Sequence, residues 1–164
     1  ANVRHWPLIG FLAEGTGTLF VQRESPRDAS RVVQQMVQSL RQGEVVALFA
    51  EGTTSDGTGV LPFRGGLLQA AIAVDCPIQA LALKFIDSAT GAHSAAACYV
   101  GQDTLLLSLW RIVCASGLTV QITLGPTQRV AGRDRRTLAL ELGQQVVALR
   151  RTEPVGAGRA VGAC

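Results

Sequence analysis

Glu44-Val45-Val46-Ala47-Leu48-Phe49 runs directly into Ala50-Glu51-Gly52-Thr53-Thr54-Ser55-Asp56-Gly57. The first six residues are a short aliphatic run closed by turn formers, the pattern of a buried β-strand in a covered sheet. The next eight are polar and punctuated by glycine, with the carboxylate of Glu51 near their start. Open α/β sheets bind ligands just past the C-terminal ends of their strands, so Glu51, Gly52 and Thr53 fall in a candidate site.

Upstream, Ser25-Pro26-Arg27-Asp28 has a serine cap and a proline for the first turn of a helix. Val32, Val33, Met36, Val37 and Leu40 then form one apolar stripe, and Gly43 ends it. Ahead of that helix, Thr18-Leu19-Phe20-Val21 reads as a strand, itself preceded by a short helix over Trp6 to Glu14 and a break at Gly15-Thr16-Gly17. Strand, helix, strand implies a parallel pair with a right-handed crossover, which brings Arg23 and Glu51 to one sheet edge. Downstream come a helix over Gly65 to Val74 and strands over Pro77 to Leu83, Ala96 to Val100 and Leu118 to Leu124. Leu105 to Val113 is a helix that is buried or lies at an interface, and Arg135 to Arg150 is a terminal amphipathic helix. The expected fold is α/β, a mixed and mostly parallel sheet flanked by helices. Residues 1–152 form one domain, and 153–164 read as a disordered tail rich in glycine and alanine.

At 164 residues, with 48% hydrophobic and 16% charged, the chain suits a single well-filled core. Its formal charge is +3, carried by arginines and the single Lys84. That excess suits an anionic small molecule or a lipid headgroup surface and is too weak for nucleic acid. Cys76, Cys98, Cys114 and Cys164 are widely spaced, with no metal-ligand interval, and read as reduced packing residues. No apolar segment reaches the roughly 18 residues of a membrane span.

An arginine fork at Arg23, beside backbone N–H groups freed by Gly52, makes a phosphate seat to which Thr53 adds a hydroxyl. Taken alone, Arg23 reads more often as a solvated strand-end charge. Glu51 cannot accept from phosphate; it receives a glycerol-type hydroxyl, fixes Arg23, or caps the turn. Phe20 and Phe49 read as core residues anchoring adjacent strand ends. His93 reads as exposed and inert in a turn, and Arg135-Arg136 and Arg150-Arg151 as a solvated helix face, with anionic headgroups as the second choice.

These segments resemble the lysophosphatidate acyltransferase family. Gly17-x-x-Phe20-x-x-Arg23 is similar to its second motif and Phe49-x-Glu51-Gly52-Thr53 to its third, F-P-E-G-T-R-S. Val60-Leu61-Pro62-Phe63-Arg64-Gly65-Gly66 matches the L-P-F-[KR]-x-G segment that follows, and Cys76-Pro77-Ile78-Gln79-Ala80-Leu81 resembles the fourth, V-P-I-x-P-[VI]. The resemblance implies transfer of a fatty acyl group from acyl-CoA or acyl carrier protein to the free hydroxyl of a lysolipid, with no further cofactor and no metal. It implies a lysolipid acceptor, an acyl thioester donor and a membrane surface as partners, at the cytoplasmic face of the inner membrane. The acceptor site falls to Arg23, Glu51, Gly52 and Thr53, supported by Gly17, Phe20 and Phe49.

The family's base is the histidine of an H-x-x-x-x-D motif, oriented by the aspartate. His5 is followed five residues later by Gly10 and His93 by Cys98, so neither fits. The dyad is expected upstream of Ala1, on the expectation that the N-terminal part of the chain is missing, and the protein is expected to be peripheral or anchored through that part. Ala50, Thr54 and Ala80 depart from Pro, Arg and Pro of the motifs. The E-G-T-[ST]-S-D-G form resembles a branch that includes lyso-ornithine lipid acyltransferases, so that acceptor stays open, as does a non-catalytic lipid- or anion-binding module.

Overall fold

The computed structural model describes residues 26–100 and 103–152. Helix α1, Pro26–Arg41, forms where the apolar stripe was read. It buries Val32 and Met36 against Ala70 of the short helix α2, Gln69–Ala73. Gly43 closes α1 at φ +81°, its N–H reaching Leu40 O while Glu44 N reaches Ser39 O. Only a residue free to take a left-handed conformation closes a helix by that pair of bonds.

The stretch 44–49 is extended, as its aliphatic character requires, but no strand pairs with it among the described residues. Its alternation is one-sided. Val46 and Leu48 pack inward, whereas Val45 is 98% and Phe49 78% exposed. The expectations of a strand buried on both faces and of Phe49 as a core anchor are therefore corrected. Aliphatic β-branched residues favour extended backbone, but sheet membership is set by a neighbouring chain. The neighbour assigned to it, 18–21, lies outside the described residues, as do the helix at 6–14, the Ser25 cap and the tail.

The described sheet has two strands, β1 (Ile78–Asp87) and β2 (Leu118–Gln128). They run antiparallel, with Leu83 opposite Ile122 and a register shift between Gln79 and Leu81. The fold is mixed α/β, but the mostly parallel sheet is overturned in this pair. Between the strands the chain turns tightly at Asp87, whose carboxylate accepts from the N–H groups of Ala89 and Thr90. It then returns beside β1 through a single bridge, Ile86 to His93. The strand expected at Ala96–Val100 is instead a 3₁₀ turn, Ala95–Ala97, because Ser94 Oγ caps it by accepting from Ala96 N.

Helix α3, Leu105–Cys114, starts where Thr104 Oγ1 accepts from Leu107 N. Burial of this helix is not observed, since Leu106 is 79%, Trp110 66% and Val113 76% exposed. Its one cation, Arg111, is turned back onto Asp103 Oδ2 at 2.5 Å and Cys98 O at 2.8 Å. No helix among the described residues is long and apolar enough to cross a membrane.

Helix α4, Arg135–Arg151, is capped by Asp134, which accepts from Arg136 N and Thr137 N. Leu138, Ala139, Leu142 and Val146 of α4 make the core with Ala80 and Ala82 of β1, Leu68 and Val130. Small residues let the helix lie close to the sheet: a Cβ on Gly125 would stand 2.9 Å from Gln145 Nε2 and 3.2 Å from Ala80 O. On β2 apolar and polar residues alternate, with the apolar ones on the open side. Val120, Ile122 and Leu124 face out, and the intervening Gln121 and Thr123 are the more buried.

Candidate functional site

The Glu51 loop leaves the extended stretch through a tight turn. Gly52 N bonds back to Phe49 O at 3.1 Å, and Gly52 holds φ +66°, a value that glycine adopts without strain. Arg64 N donates to Ala50 O at 2.8 Å, so the returning segment 60–64 lies alongside the base of the loop. Glu51 Oε2 accepts from Leu61 N at 2.8 Å, a second tie across the same base. One carboxylate oxygen of Glu51 is thus used to brace the loop, which is the turn-capping role among those read from sequence.

Arg64 supplies what the sequence reading did not assign. A Cβ on Gly52 would lie 3.3 Å from Arg64 Cδ and 3.6 Å from its Nε, so the arginine stem passes directly over the glycine. Its exposed guanidinium makes no ion pair among the described residues. Thr53 and Thr54, which follow Gly52 in the chain, are exposed. A guanidinium, two hydroxyls and a glycine turn offer donors to an anion, the chemistry expected of a phosphate seat. The signal was present in the sequence, as Arg64 of Leu61-Pro62-Phe63-Arg64, ten residues from the threonine that replaces the motif arginine.

Of the residues predicted for the site, Glu51, Gly52 and Thr53 lie together in this loop. Phe49 stands at its entrance with its ring exposed. Arg23, Gly17 and Phe20 lie outside the described residues. No group of three or more His, Cys, Asp or Glu that could hold a metal occurs among the described residues.

At the far end of the loop, Asp56 Oδ1 accepts from Thr58 N at 3.0 Å and Thr58 Oγ1 at 2.8 Å. The Thr58 backbone N–H, then its hydroxyl, lower the Asp56 pKa from the ordinary carboxylate range, and His93 adds to this. His93 is exposed but not inert, since its Nε2 meets Asp56 O at 3.0 Å. Arg150 is not part of a solvated face either. Its Nη2 reaches Gly57 O at 2.5 Å and its Nη1 Leu83 O at 3.3 Å. Cys98, buried and free, donates Sγ–H to Asp56 O at 2.8 Å.

A sequence profile of the Acyltransferase family matches residues 1–84, about half of the chain, and the chain belongs to that family. It is similar to the 1-acyl-sn-glycerol-3-phosphate acyltransferase of Neisseria gonorrhoeae, at 36% identity over 123 residues, covering 74% of this chain and 47% of that protein. It is also similar to the lyso-ornithine lipid O-acyltransferase of Pseudomonas aeruginosa, at 35% over 146 residues, 89% of this chain and 55% of that protein. The lyso-ornithine lipid O-acyltransferase of Brucella abortus is 30% identical over 172 residues, 95% and 63%. The chain spans about half the length of the Neisseria and Pseudomonas relatives. No solved structure matches it significantly.

Proposed function

We propose that this chain is the acceptor-binding part of an acyltransferase of membrane-lipid synthesis, which moves a fatty acyl group from acyl-CoA or acyl carrier protein to the free hydroxyl of lysophosphatidate. The observation that carries the reading is the Glu51 loop, where the Arg64 guanidinium, without an ion pair among the described residues, lies over Gly52, followed along the loop by the exposed Thr53 and Thr54. In this role Arg64, joined by Arg23 of the second motif, holds the acceptor phosphate by charge-assisted hydrogen bonds. Glu51 keeps the loop closed through Leu61 N. The acceptor hydroxyl, once deprotonated by the family's histidine base, attacks the thioester carbonyl. The new ester forms as the thiol leaves and takes the proton.

We further propose the cytoplasmic face of the inner membrane as the place of the reaction. The exposed Leu106, Trp110 and Val113 of α3 favour a lipid-facing position for that helix. Replacing Trp110 with Ala is expected to weaken cosedimentation with anionic phospholipid vesicles.

Lyso-ornithine lipid acylation is the second reading, favoured by the breadth of the match to the Pseudomonas relative and by Thr54 in place of the motif arginine. The protein expressed from its intact gene should convert lysophosphatidate and an acyl thioester to phosphatidate. Unaltered activity of both Glu51→Ala and Arg64→Ala would overturn the site. Lipid extracts of a deletion strain separate the two acceptors, since loss of ornithine lipid with phosphatidate intact selects the second.

A further inference from the structure

Asp56 and Gly57, at the tip of the Glu51 loop, offer two consecutive carbonyl oxygens to donors from two remote parts of the fold. Asp56 O receives the His93 imidazole at 3.0 Å and the Cys98 thiol at 2.8 Å. Gly57 O receives Arg150 from the last turn of α4 at 2.5 Å, and the same guanidinium holds Leu83 O of β1. A Cβ on Gly57 would meet His93 Cε1 at 3.0 Å and Cys98 Sγ at 3.5 Å, so only a bare backbone fits beneath these side chains.

We propose that His93, Cys98 and Arg150 form a latch that positions the Glu51–Gly57 loop for acceptor binding. The inference rests on the acyltransfer reading for its role, but its geometry stands apart from it. The loop is tied at its base by Glu51 to Leu61 N and by Arg64 N to Ala50 O, and at its tip by the latch. Thr53 and Thr54, both exposed, lie between the two ties. A polar, glycine-rich loop without the second tie would sample many conformations, and binding would have to order it. None of the three latch residues lies in a motif by which the acceptor site was read.

The donors are chemically suited to the task. A carbonyl accepts only, so His93 must carry its proton on Nε2. The thiol must likewise stay protonated to donate. Burial first, and the Asp56 carboxylate next, raise the Cys98 pKa, against a smaller opposing effect of Arg111. Arg150 spans two backbone carbonyls of separate segments with two nitrogens, which a lysine could not do.

The latch makes a prediction readable without catalysis. In protein from the intact gene carrying Cys76→Ser, Cys114→Ser and Cys164→Ser, Cys98 is covered by the loop and should react slowly with a maleimide. His93→Ala and Arg150→Met should each speed labelling about tenfold, the loss of one hydrogen bond to a held loop. Circular dichroism identifies any variant that fails to fold, and Arg150→Lys, which keeps the charge and one bond, provides an intermediate case. In the acyl-transfer assay the same variants should raise KM for lysophosphatidate about tenfold and leave kcat within about twofold. Equal labelling rates in folded variants and parent would overturn the latch. Faster labelling with unchanged KM would overturn its role in acceptor binding. Absence of transfer by the parent would instead sink the acyltransfer reading, and the labelling rates would still decide the latch.

Discussion

Gly57 and Gly59 sit two residues apart in the same loop and differ in what they must do. Gly57 holds φ +73° under the His93 ring, whereas a Cβ on Gly59 would meet nothing within 4 Å. Gly57→Ala is therefore expected to destabilise by about 1–3 kcal/mol, and Gly59→Ala to stay within about 0.5 kcal/mol. Thermal unfolding of the pair tests this. Arg64 is the residue whose replacement should act on binding without acting on the fold, since its guanidinium is exposed and unpaired among the described residues. Arg64→Ala should weaken lysophosphatidate binding by about 1.5–3 kcal/mol, roughly 10- to 100-fold, with Arg64→Lys retaining part of it. A titration of phosphate-bearing against phosphate-free lysolipid would show the loss in the first alone.

Two helices carry the predictions for elements. In α4, Leu138 is fully buried and Leu140, two residues on, is 62% exposed. Leu138→Ala should lower stability by about 2–5 kcal/mol and Leu140→Ala by far less, measured by urea unfolding. Helix α3 hangs on a different bond. Asp103 accepts from Val100 N and from Arg111, and these, in that order, lower its pKa below the ordinary carboxylate range. The unfolded chain then takes up the proton more readily than the folded one, so the contribution is full above the ordinary Asp pKa. It is lost as pH falls through the lowered one. Asp103→Asn should lower the neutral part of the stability profile by that contribution and flatten its acid limb, so that variant and parent converge at low pH.

For the molecule as a whole, the 164 residues contain no H-x-x-x-x-D, and the chain assayed alone is expected to give no turnover. Acyl transfer by these 164 residues would mean that a base other than an H-x-x-x-x-D dyad is present. How much was legible followed the range of the interactions involved. Helices α1 and α4 were read because a 3.6-residue apolar stripe and its capping residues are local. Glu51, Gly52 and Thr53 were read because the loop's polarity and its motif are contiguous. Arg64, His93, Cys98 and Arg150 were missed, or read as inert, because their work is done across the fold. Nothing in the residues beside His93 announces the carbonyl of Asp56.

Over most of the described residues, though not at Ala96–Val100, the chain's own residues were thus enough to determine where backbone is extended, helical or turned, and they marked which loop carries the polar groups of a lipid-acylating family. Such features are short-range: aliphatic runs extend, stripes coil, and glycine permits φ above zero. Tertiary structure alone decided that β1 and β2 pair antiparallel, and that the apolar side of β2 faces outward. It also decided that the tip of the Glu51 loop is held by residues 37, 42 and 93 positions away. Strand pairing and carbonyl partnering depend on which distant chain comes within bonding reach, and a linear pattern of side chains leaves that choice open until the core closes.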